Sequence, residues 1–270
     1  MDTQLTTVGI VSDLHSNSTV GLCPPVVNLD DGGTYHSSRG QRWLWECWLD
    51  YIHQFTLIQG NKILVLGGDM GELDTKRRSV QLISQNKATI LAMVAETLAP
   101  LVDIADKVIV IRGTPAHEGK GCWLEEAIAA DLDNVIPCSK SIKSWYHFRG
   151  VIDGRRYDIA HHATMAGKDA SSYKSPLDLA EKALWYYLVA LQQPAPHYVI
   201  RSHQHRHREA EMHGCHAIFT PGWTLAPEYI YRAGKEFSLA DIGGLIIQGD
   251  QVRSVRYYAR DEKRVWQIKL

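Results

Sequence analysis

The first half of the chain alternates short apolar runs with longer stretches in which apolar residues recur at helical spacing. The apolar runs are typical of strands buried on both faces of a sheet, and they cover residues 8–11, 62–66 and 108–111. The helical stretches cover residues 41–59, about 75–105 (with Pro100 expected to kink or end it) and 122–130. Residues 16–40 are rich in Gly, Pro, Ser and Asn, which predicts a loop. This order predicts an α/β fold.

The second half of the chain has more closely spaced segments of strand character. Two of them flank Asp153 and Gly154, a dipeptide typical of a hairpin turn. The predicted strands lie at 144–148, 151–160, 197–200, 217–220, 244–247, 252–258 and 265–268, with a helix at 175–192. Because no internal repeat or linker divides the sequence, we expect a single domain over residues 1–270.

Composition narrows the possible classes of protein. The chain has 45% hydrophobic and 22% charged residues, as globular proteins do, and its net charge of -1 provides no global basic field for a polyanion. The sequence contains no run of about 18 apolar residues, so we expect no membrane-spanning segment. The five cysteines lack paired spacing, and the N-terminus has no basic and apolar signal segment. We therefore expect a protein of a reducing compartment, the cytoplasm.

Polar residues that suit metal binding follow most of the predicted strands. Asp13 and His15 are two residues apart, so in extended backbone their side chains point to the same side. A carboxylate and an imidazole at one point suit a divalent transition metal. Comparable residues follow the other strands: Asp69, Thr114 with His117, His161 or His162, and His203 with His205. Since ligands bind at the carboxyl ends of strands in α/β sheets, these positions predict one shared metal site.

The order of these blocks resembles a known family. The sequence contains D-x-H at 13–15, G-D at 68–69, G-T-P-A-H-E at 113–118, a lone His after a strand, and S-H-Q-H at 202–205. The set, which extends over about residues 8–206, resembles the calcineurin-like metallophosphoesterase superfamily. The resemblance implies a four-layer α/β/β/α metallophosphoesterase sandwich with a dinuclear metal centre. The G-T-x-x-H form of the third block is similar to that of phage and prophage members.

The resemblance also implies roles for individual residues. One metal ion would be held by Asp13, His15 and His205, and Asp69 would bridge both ions. The second ion would take His161 and His203. The third block lacks the family's Asn ligand, so Thr114 or a water would take its place. His117 would stabilise the transition state or protonate the leaving oxygen, while the two ions would clamp the phosphate and generate hydroxide. We expect manganese first, with iron, zinc, cobalt or nickel as alternatives.

Some assignments stay open at the level of sequence. His162 is the alternative to His161, although His161 directly follows the predicted strand. A shift by two residues would replace the pair His203 and His205 by His205 and His207; the small Ser202 favours the first pair, which leaves His207 as a surface or substrate contact. Basic residues near strand ends are either phosphate contacts or surface charge: Arg112 and Arg206, with Lys120, Lys168 and Arg201. Three acidic residues are candidates for orienting the ligand histidines: Glu72, Asp74 and Glu118.

These observations favour a metal-dependent phosphoesterase acting on phosphodiesters. Its third block favours a nucleic-acid substrate, DNA or RNA, while its net charge argues against a non-specific DNA binder. One alternative is a phosphomonoesterase of small molecules. Another is a non-catalytic metal-binding scaffold, which the missing Asn favours and the retained Asp and His residues oppose. A zinc amidase fits the ligand types but not the order of the blocks. The sequence does not indicate an oligomeric state.

Overall fold

The computed structural model describes residues 5–73, 81–162, 175–232 and 239–258 of the chain. Two five-stranded sheets stack face to face in this part of the chain, and helices cover the outer face of each. The result is a four-layer α/β/β/α sandwich, which confirms the fold class expected from the sequence.

The parallel strands of both sheets run toward the centre described below. In spatial order, the first sheet contains β12 (Gln251–Tyr257), β11 (Ile242–Gln248), β1 (Thr7–Val11), β4 (Lys62–Leu66) and β5 (Lys107–Val110). The second sheet contains β6 (His147–Ile152), β7 (Arg155–Ala160), β8 (Tyr198–Arg201), β10 (Cys215–Phe219) and β9 (Arg208–Met212). β1, β4 and β5 are parallel, as are β7, β8 and β10. Their carboxyl ends therefore supply two neighbouring sets of polar residues.

The helices connect and cover these strands. Their bounds are α1 (Arg39–Leu57), α2 (Lys87–Val102), α3 (Pro115–Glu118), α4 (Trp123–Asp131), α5 (Pro176–Trp185) and α6 (Glu228–Arg232), and a π-helical turn, Tyr186–Ala190, continues α5. None of the helices in the described ranges is long and apolar enough to cross a membrane. All five cysteines lie within those ranges and are free.

The two sheets are joined by an apolar layer to which both contribute. Val8 and Ile10 of β1 are fully buried in it, together with Ile159 of β7 and Ile200 of β8. Fully burying an aliphatic side chain of this size contributes about 1.5–3 kcal/mol. Because side chains alternate along a strand, Val11 and the outward-facing positions of β1 pack under the helices instead.

Helix α1 packs closely on the outer face of the first sheet. It begins with a capping box, in which the Ser38 hydroxyl accepts the backbone N–H of Gln41 and the Gln41 side chain accepts that of Ser38. A Cβ atom on Gly9 would lie 2.9 Å from the Phe55 ring, so the close approach of helix and sheet requires glycine at this position. The Tyr51 hydroxyl donates to the carbonyl of Leu245, 2.9 Å away, which ties the helix to β11.

The hairpin of the second sheet confirms the predicted turn. Asp153 and Gly154 both have positive φ, 44° and 75°, as the two central residues of a two-residue hairpin turn with right-handed strand twist require. The predicted ranges 144–148 and 151–160 were too early along the chain. Strand β6 begins three residues later and ends four residues later than predicted, at Ile152, and β7 begins four residues later, at Arg155.

Other boundaries differ from the sequence predictions for local reasons. The predicted loop 16–40 includes a short antiparallel pair, β2 (Val26–Asn28) and β3 (Thr34–His36). The second predicted helix begins at Lys87, because the Asn86 side chain accepts the backbone N–H groups of Ala88 and Thr89 and so caps it. Pro100 lies inside α2 and does not end it. Strand β9 was missed, because its charged residues hide the pattern of an edge strand. Residues 75–80 of the second predicted helix and the whole predicted strand 265–268 lie outside the described residues.

Candidate metal centre

The predicted ligands lie together where the parallel strands end. Two groups each bring their ligand atoms within 4.8 Å of one another, and these groups are Asp13 with His15 and His205, and Asp69 with His161 and His203. Asp13 and His15 follow β1, Asp69 follows β4, and the histidines of the second half follow β7 and β8. Both sheets thus contribute to one candidate centre.

In the first group, three side chains present acceptor atoms to one point. The Nε2 of His205 lies 3.0 Å from Oδ1 of Asp13 and 3.3 Å from Nε2 of His15. The Nδ1 of His15 lies 2.9 Å from Oε2 of Glu72. When that nitrogen donates its N–H to the Glu72 carboxylate, the Nε2 of His15 presents a lone pair. This is the ordinary arrangement of a metal-ligating histidine that is oriented by a carboxylate.

The second group is buried more deeply. The Nδ1 of His161 donates to the carbonyl of Gly67 at 2.8 Å, and its Nε2 lies 3.0 Å from Oδ2 of Asp69 and 4.0 Å from Oδ1 of Asp13. Neither His161 Nε2 nor Asp13 Oδ1 has a hydrogen-bond partner among the described residues. A nitrogen lone pair that faces two carboxylates needs a proton or a cation between them. A divalent metal ion therefore fits this set of donors.

The charge distribution shifts the pKa values of the buried groups. Burial alone would raise the pKa of Asp13, but the charges of His205 and His161 lower it to about 2. Burial would likewise raise the pKa of Asp69, but the charge of His161 holds it well below its usual range. Burial would lower the pKa of His161, yet Asp69 and Asp13 raise it to about 9. For His203, burial and the charge of His161 lower the pKa to about 4. Carboxylates that stay ionised when buried are suited to bind cations.

The backbone of the candidate ligands is strained. Five of them have left-handed φ: Asp13 at 56°, His15 at 47°, Asp69 at 54°, His203 at 71° and His205 at 54°. This conformation costs a residue with a Cβ atom about 1–2 kcal/mol. Such strain persists only where the surroundings enforce it, and it concentrates at functional sites. Its recurrence at three strand ends supports a functional role for this edge of the molecule.

The third block orients the carboxylate of Asp69. The backbone N–H of Thr114 donates to Oδ1 of Asp69 at 2.6 Å, and the Thr114 hydroxyl lies 3.0 and 3.1 Å from its two oxygens. A Cβ atom on Gly113 would lie 2.1 Å from Oδ1 of Asp69, so this approach requires glycine. Thr114, predicted as a ligand or a stand-in for one, thus contacts the predicted bridging residue directly.

Glu72 connects the predicted catalytic histidine to the predicted ligands. Its Oε2 lies 2.7 Å from Nδ1 of His117 as well as 2.9 Å from Nδ1 of His15. Burial would raise the pKa of Glu72, but its hydrogen bonds to His117 and His15 lower it to about 2. The side-chain amide of Asn17 donates to the Glu72 carbonyl at 2.7 Å and so fixes the backbone of this residue. Asn17 was not singled out from the sequence, where it is one polar residue of a loop.

The two alternatives among the histidines are distinguished by burial. His161 is buried against Asp69, whereas His162 is exposed, with its ring 5.4 Å from that of His161. His207 was expected at the surface or against substrate. Its side chain is only 6% exposed and its Nε2 lies 3.9 Å from Oε1 of Glu209, so it is turned into the protein.

The basic residues have varied surroundings. Arg112 donates to the Ser144 hydroxyl at 2.8 Å and lies over the Tyr146 ring, so a phosphate contact would have to replace these partners. Arg201 was left open as a phosphate contact or a surface charge; it donates to the buried Asp158 at 2.7 Å, which is a structural pairing. Arg206 and Lys120 are exposed. Asp74 and Lys168 lie outside the described residues.

Glu125 is the residue near the centre that sequence reasoning missed. It is fully buried, and its Oε1 accepts the backbone N–H of Asp69 at 3.0 Å. Burial and the charge of Asp69 raise the pKa of Glu125 to about 7, and burial and the charge of Glu125 raise that of Glu118 well above its usual range. The available signal was its position in α4, where it shares the buried face with Leu124 and Ile128.

Comparison with known proteins gives distant structural similarities only. No protein-family model matches the chain, and no curated protein matches it. Vps29 of Cryptosporidium parvum is similar at 14% identity and a TM-score of 0.47, with 96% of this chain and 94% of that chain covered. An archaeal phosphodiesterase is similar at 14% identity and a TM-score of 0.45, with 93% of this chain and 99% of that chain covered. YfcE, a phosphoesterase from E. coli, is similar at 12% identity and a TM-score of 0.44, with 91% of this chain and 90% of that chain covered. At these values the similarities carry no argument about the activity of this chain.

Proposed function

We propose that the protein is a metal-dependent phosphoesterase with phosphodiester substrates. The observation that carries this proposal is the convergence of Asp13 Oδ1 and His161 Nε2, both buried and without hydrogen-bond partners in the described part of the chain, beside the carboxylate of Asp69. Buried acceptor atoms arranged in this way are stable only around a cation or a proton. The mixed imidazole and carboxylate set suits manganese, iron, zinc, cobalt or nickel, and we propose manganese.

The candidate ligands divide between two ions. Asp13, His15 and His205 would hold one ion, and His161 and His203 the other, with Asp69 shared between them and supported by Thr114. When bound, such ions neutralise phosphate charge and make a coordinated water a better nucleophile near neutral pH. The left-handed backbone of five of these residues supports the proposal, because such strain concentrates at functional sites.

We expect His117 to supply the proton that the reaction requires. Its Nδ1 contacts Glu72, so the proton would pass from Nε2 to the leaving oxygen as the phosphorus–oxygen bond breaks. The His117 side chain is 25% exposed, which leaves it accessible to substrate. The carboxylate of Glu72 stays ionised and accepts a hydrogen bond from Nδ1 of His117, which fixes the orientation of that imidazole. In this account the residue positions the acid and one metal ligand together.

The identity of the substrate is the least constrained part of the proposal. The exposed Arg206, next to His205, is positioned for a phosphate contact, and the third-block pattern favours DNA or RNA over a small phosphodiester. The net charge of -1 limits any nucleic-acid contact to the neighbourhood of the centre. We further propose that residues 1–270 act as one domain, and that the free cysteines reflect a cytoplasmic location.

A non-catalytic metal-binding scaffold is the second candidate. The third block favours it, because it has no Asn ligand and the Thr114 hydroxyl is hydrogen-bonded to Asp69. Such a protein would bind metal without hydrolysing any phosphate ester.

Turnover of two simple esters in Mn²⁺ separates these functions. Bis-p-nitrophenyl phosphate reports diester hydrolysis and p-nitrophenyl phosphate reports monoester hydrolysis, and each is measured for the wild type, Asp69→Asn and the exposed control Asp133→Asn. Diester turnover that Asp69→Asn abolishes and Asp133→Asn retains would support the proposal. Turnover of the monoester alone would indicate a phosphomonoesterase, and bound metal without any turnover would indicate the scaffold.

A further inference from the structure

Three carboxylates meet where the end of β4 approaches α3 and α4. Asp69 follows β4, Glu118 ends α3 and Glu125 lies in α4. One oxygen from each lies within 4.8 Å of the others. The two glutamates belong to neither of the histidine groups described above.

The two glutamates of this carboxylate cluster (Asp69, Glu118 and Glu125) are buried, and three of their four carboxylate oxygens have no hydrogen-bond partner in the described part of the chain. Both are fully inaccessible to solvent. Neither oxygen of Glu118, nor Oε2 of Glu125, has a hydrogen-bond partner among the described residues. Buried charges that lack partners are strongly destabilising, and a chain that places several together must neutralise them. A bound cation does so for all three groups at once.

We propose that this carboxylate cluster is a third cation site, specific for a hard divalent ion such as Ca²⁺ or Mg²⁺. The donors are all carboxylate oxygens, the ligands that these ions prefer, whereas the neighbouring centre is rich in imidazole, which suits zinc and related metals. Oxygens bound to Ca²⁺ lie about 2.3–2.6 Å from it and so at most about 5 Å from each other. The three oxygens, which lie within 4.8 Å of one another, meet this limit.

The site would fix the position of the third block. An ion shared by Glu118 and Asp69 links α3, which carries His117, to the end of β4. Glu125 would link α4 to the same ion, and it also accepts the backbone N–H of Asp69. The ion would therefore stabilise this corner of the fold without contacting substrate.

Metal counting on the intact protein tests the proposal. The full chain is stripped with a chelator, loaded with Zn²⁺, equilibrated with Ca²⁺ and analysed for total bound Zn²⁺ and Ca²⁺. The variants are Glu118→Gln, Glu125→Gln and the exposed control Glu46→Gln, with folding checked by circular dichroism and Tm. Both cluster variants retain the shape of the side chain, and Gln at position 125 still has an oxygen to accept the Asp69 N–H.

We expect wild type and Glu46→Gln to hold one more ion per chain than either cluster variant. The expected loss is of Ca²⁺, with an increase of at least tenfold in its dissociation constant. Equal metal content in the wild type and a folded Glu118→Gln would overturn the proposal. It would indicate that a proton shared between the two glutamates neutralises them instead of a cation. A failure of the histidine-rich centre is distinguishable, because it lowers the Zn²⁺ content of all four proteins and leaves the difference of one ion intact.

Discussion

The Nε2 of His205 lies 3.0 Å from Oδ1 of Asp13, although His205 follows a strand of the second sheet and Asp13 follows the central strand of the first. The contact exists because both sheets end their parallel strands at the same edge, and because both residues have left-handed backbone that turns their side chains inward. A ligand set drawn from both sheets can form only when the sandwich is complete.

Replacing His205 should weaken metal binding without unfolding the protein. Loss of a residue that merely orients a metal ligand lowers metal affinity by about 10–100-fold. We expect His205→Asn, which removes a ligand itself, to raise the dissociation constant for Mn²⁺ by at least as much. His213→Asn is the matched control, because His213 is exposed and has a similar φ of 48°, against 54° for His205. Isothermal titration of both variants with Mn²⁺ checks this expectation, and equal affinities would exclude His205 as a ligand.

Replacing Glu72 should impair two functions at once, because one of its oxygens contacts both His15 and His117. In Glu72→Gln the amide lacks the charge that holds the two N–H groups. We expect about a 10–100-fold loss of activity together with weaker Mn²⁺ binding. Glu96→Gln, an exposed change in α2, serves as control. A purely structural role would instead lower Tm and leave kcat and metal affinity unchanged in the folded fraction.

The effect of replacing His117 should depend on the leaving group. If its Nε2 protonates the leaving oxygen, His117→Gln should slow hydrolysis of an alkyl phosphodiester by about 10²–10⁴-fold. Hydrolysis of bis-p-nitrophenyl phosphate should change much less, since p-nitrophenolate leaves without a proton. Comparing kcat for the two esters in wild type and variant makes the test. Equal losses on both would assign His117 to binding or transition-state stabilisation.

The fold and most of the candidate ligands could be predicted from sequence because they depend on local patterns. The apolar run of β1 predicts a doubly buried strand, and Asp13 and His15 follow it directly. Glu72 could be named as a candidate partner of the ligand histidines, but its simultaneous contacts with His15 and His117 could not be predicted. The role of Glu125 could not be predicted either, because its contact with Asp69 joins segments distant along the chain. Periodicity also misplaced the start of α2, where a single Asn86 cap decides the boundary.

The pairing of Arg201 with Asp158 makes a separate prediction about stability. Asp158 is buried beneath the second sheet and accepts hydrogen bonds from Arg201, His147 and Tyr187 at 2.7, 2.6 and 2.6 Å. Removing the charge leaves the Arg201 guanidinium uncompensated, so Asp158→Asn should lower the free energy of unfolding by about 3–5 kcal/mol. Urea denaturation of wild type and Asp158→Asn at neutral pH measures this change in the free energy of unfolding. The exposed pair of Arg155 and Asp250 provides the control, since Asp250→Asn should change stability by less than about 1 kcal/mol.

The same carboxylate should make stability depend on pH. Burial raises the pKa of Asp158, but the charge of Arg201 and the contacts with His147 lower it well below its usual range. Because the pKa in the folded protein is lower than the unfolded value of 3.8, this stabilisation is complete above about pH 4 and is lost as the pH falls through the folded value. The difference in stability between wild type and Asp158→Asn should therefore narrow below about pH 4. A constant difference down to pH 2 would contradict the assigned ionisation.

The central claim is that the residues at the ends of the two sheets form a metal centre that hydrolyses phosphodiesters. The most direct measurement is the rate of bis-p-nitrophenyl phosphate hydrolysis by chelator-stripped protein as Mn²⁺ is added back, for wild type and Asp13→Asn. The account predicts no turnover without metal, restored turnover in the wild type and none in Asp13→Asn. Turnover by the metal-free protein, or equal turnover by Asp13→Asn, would contradict it.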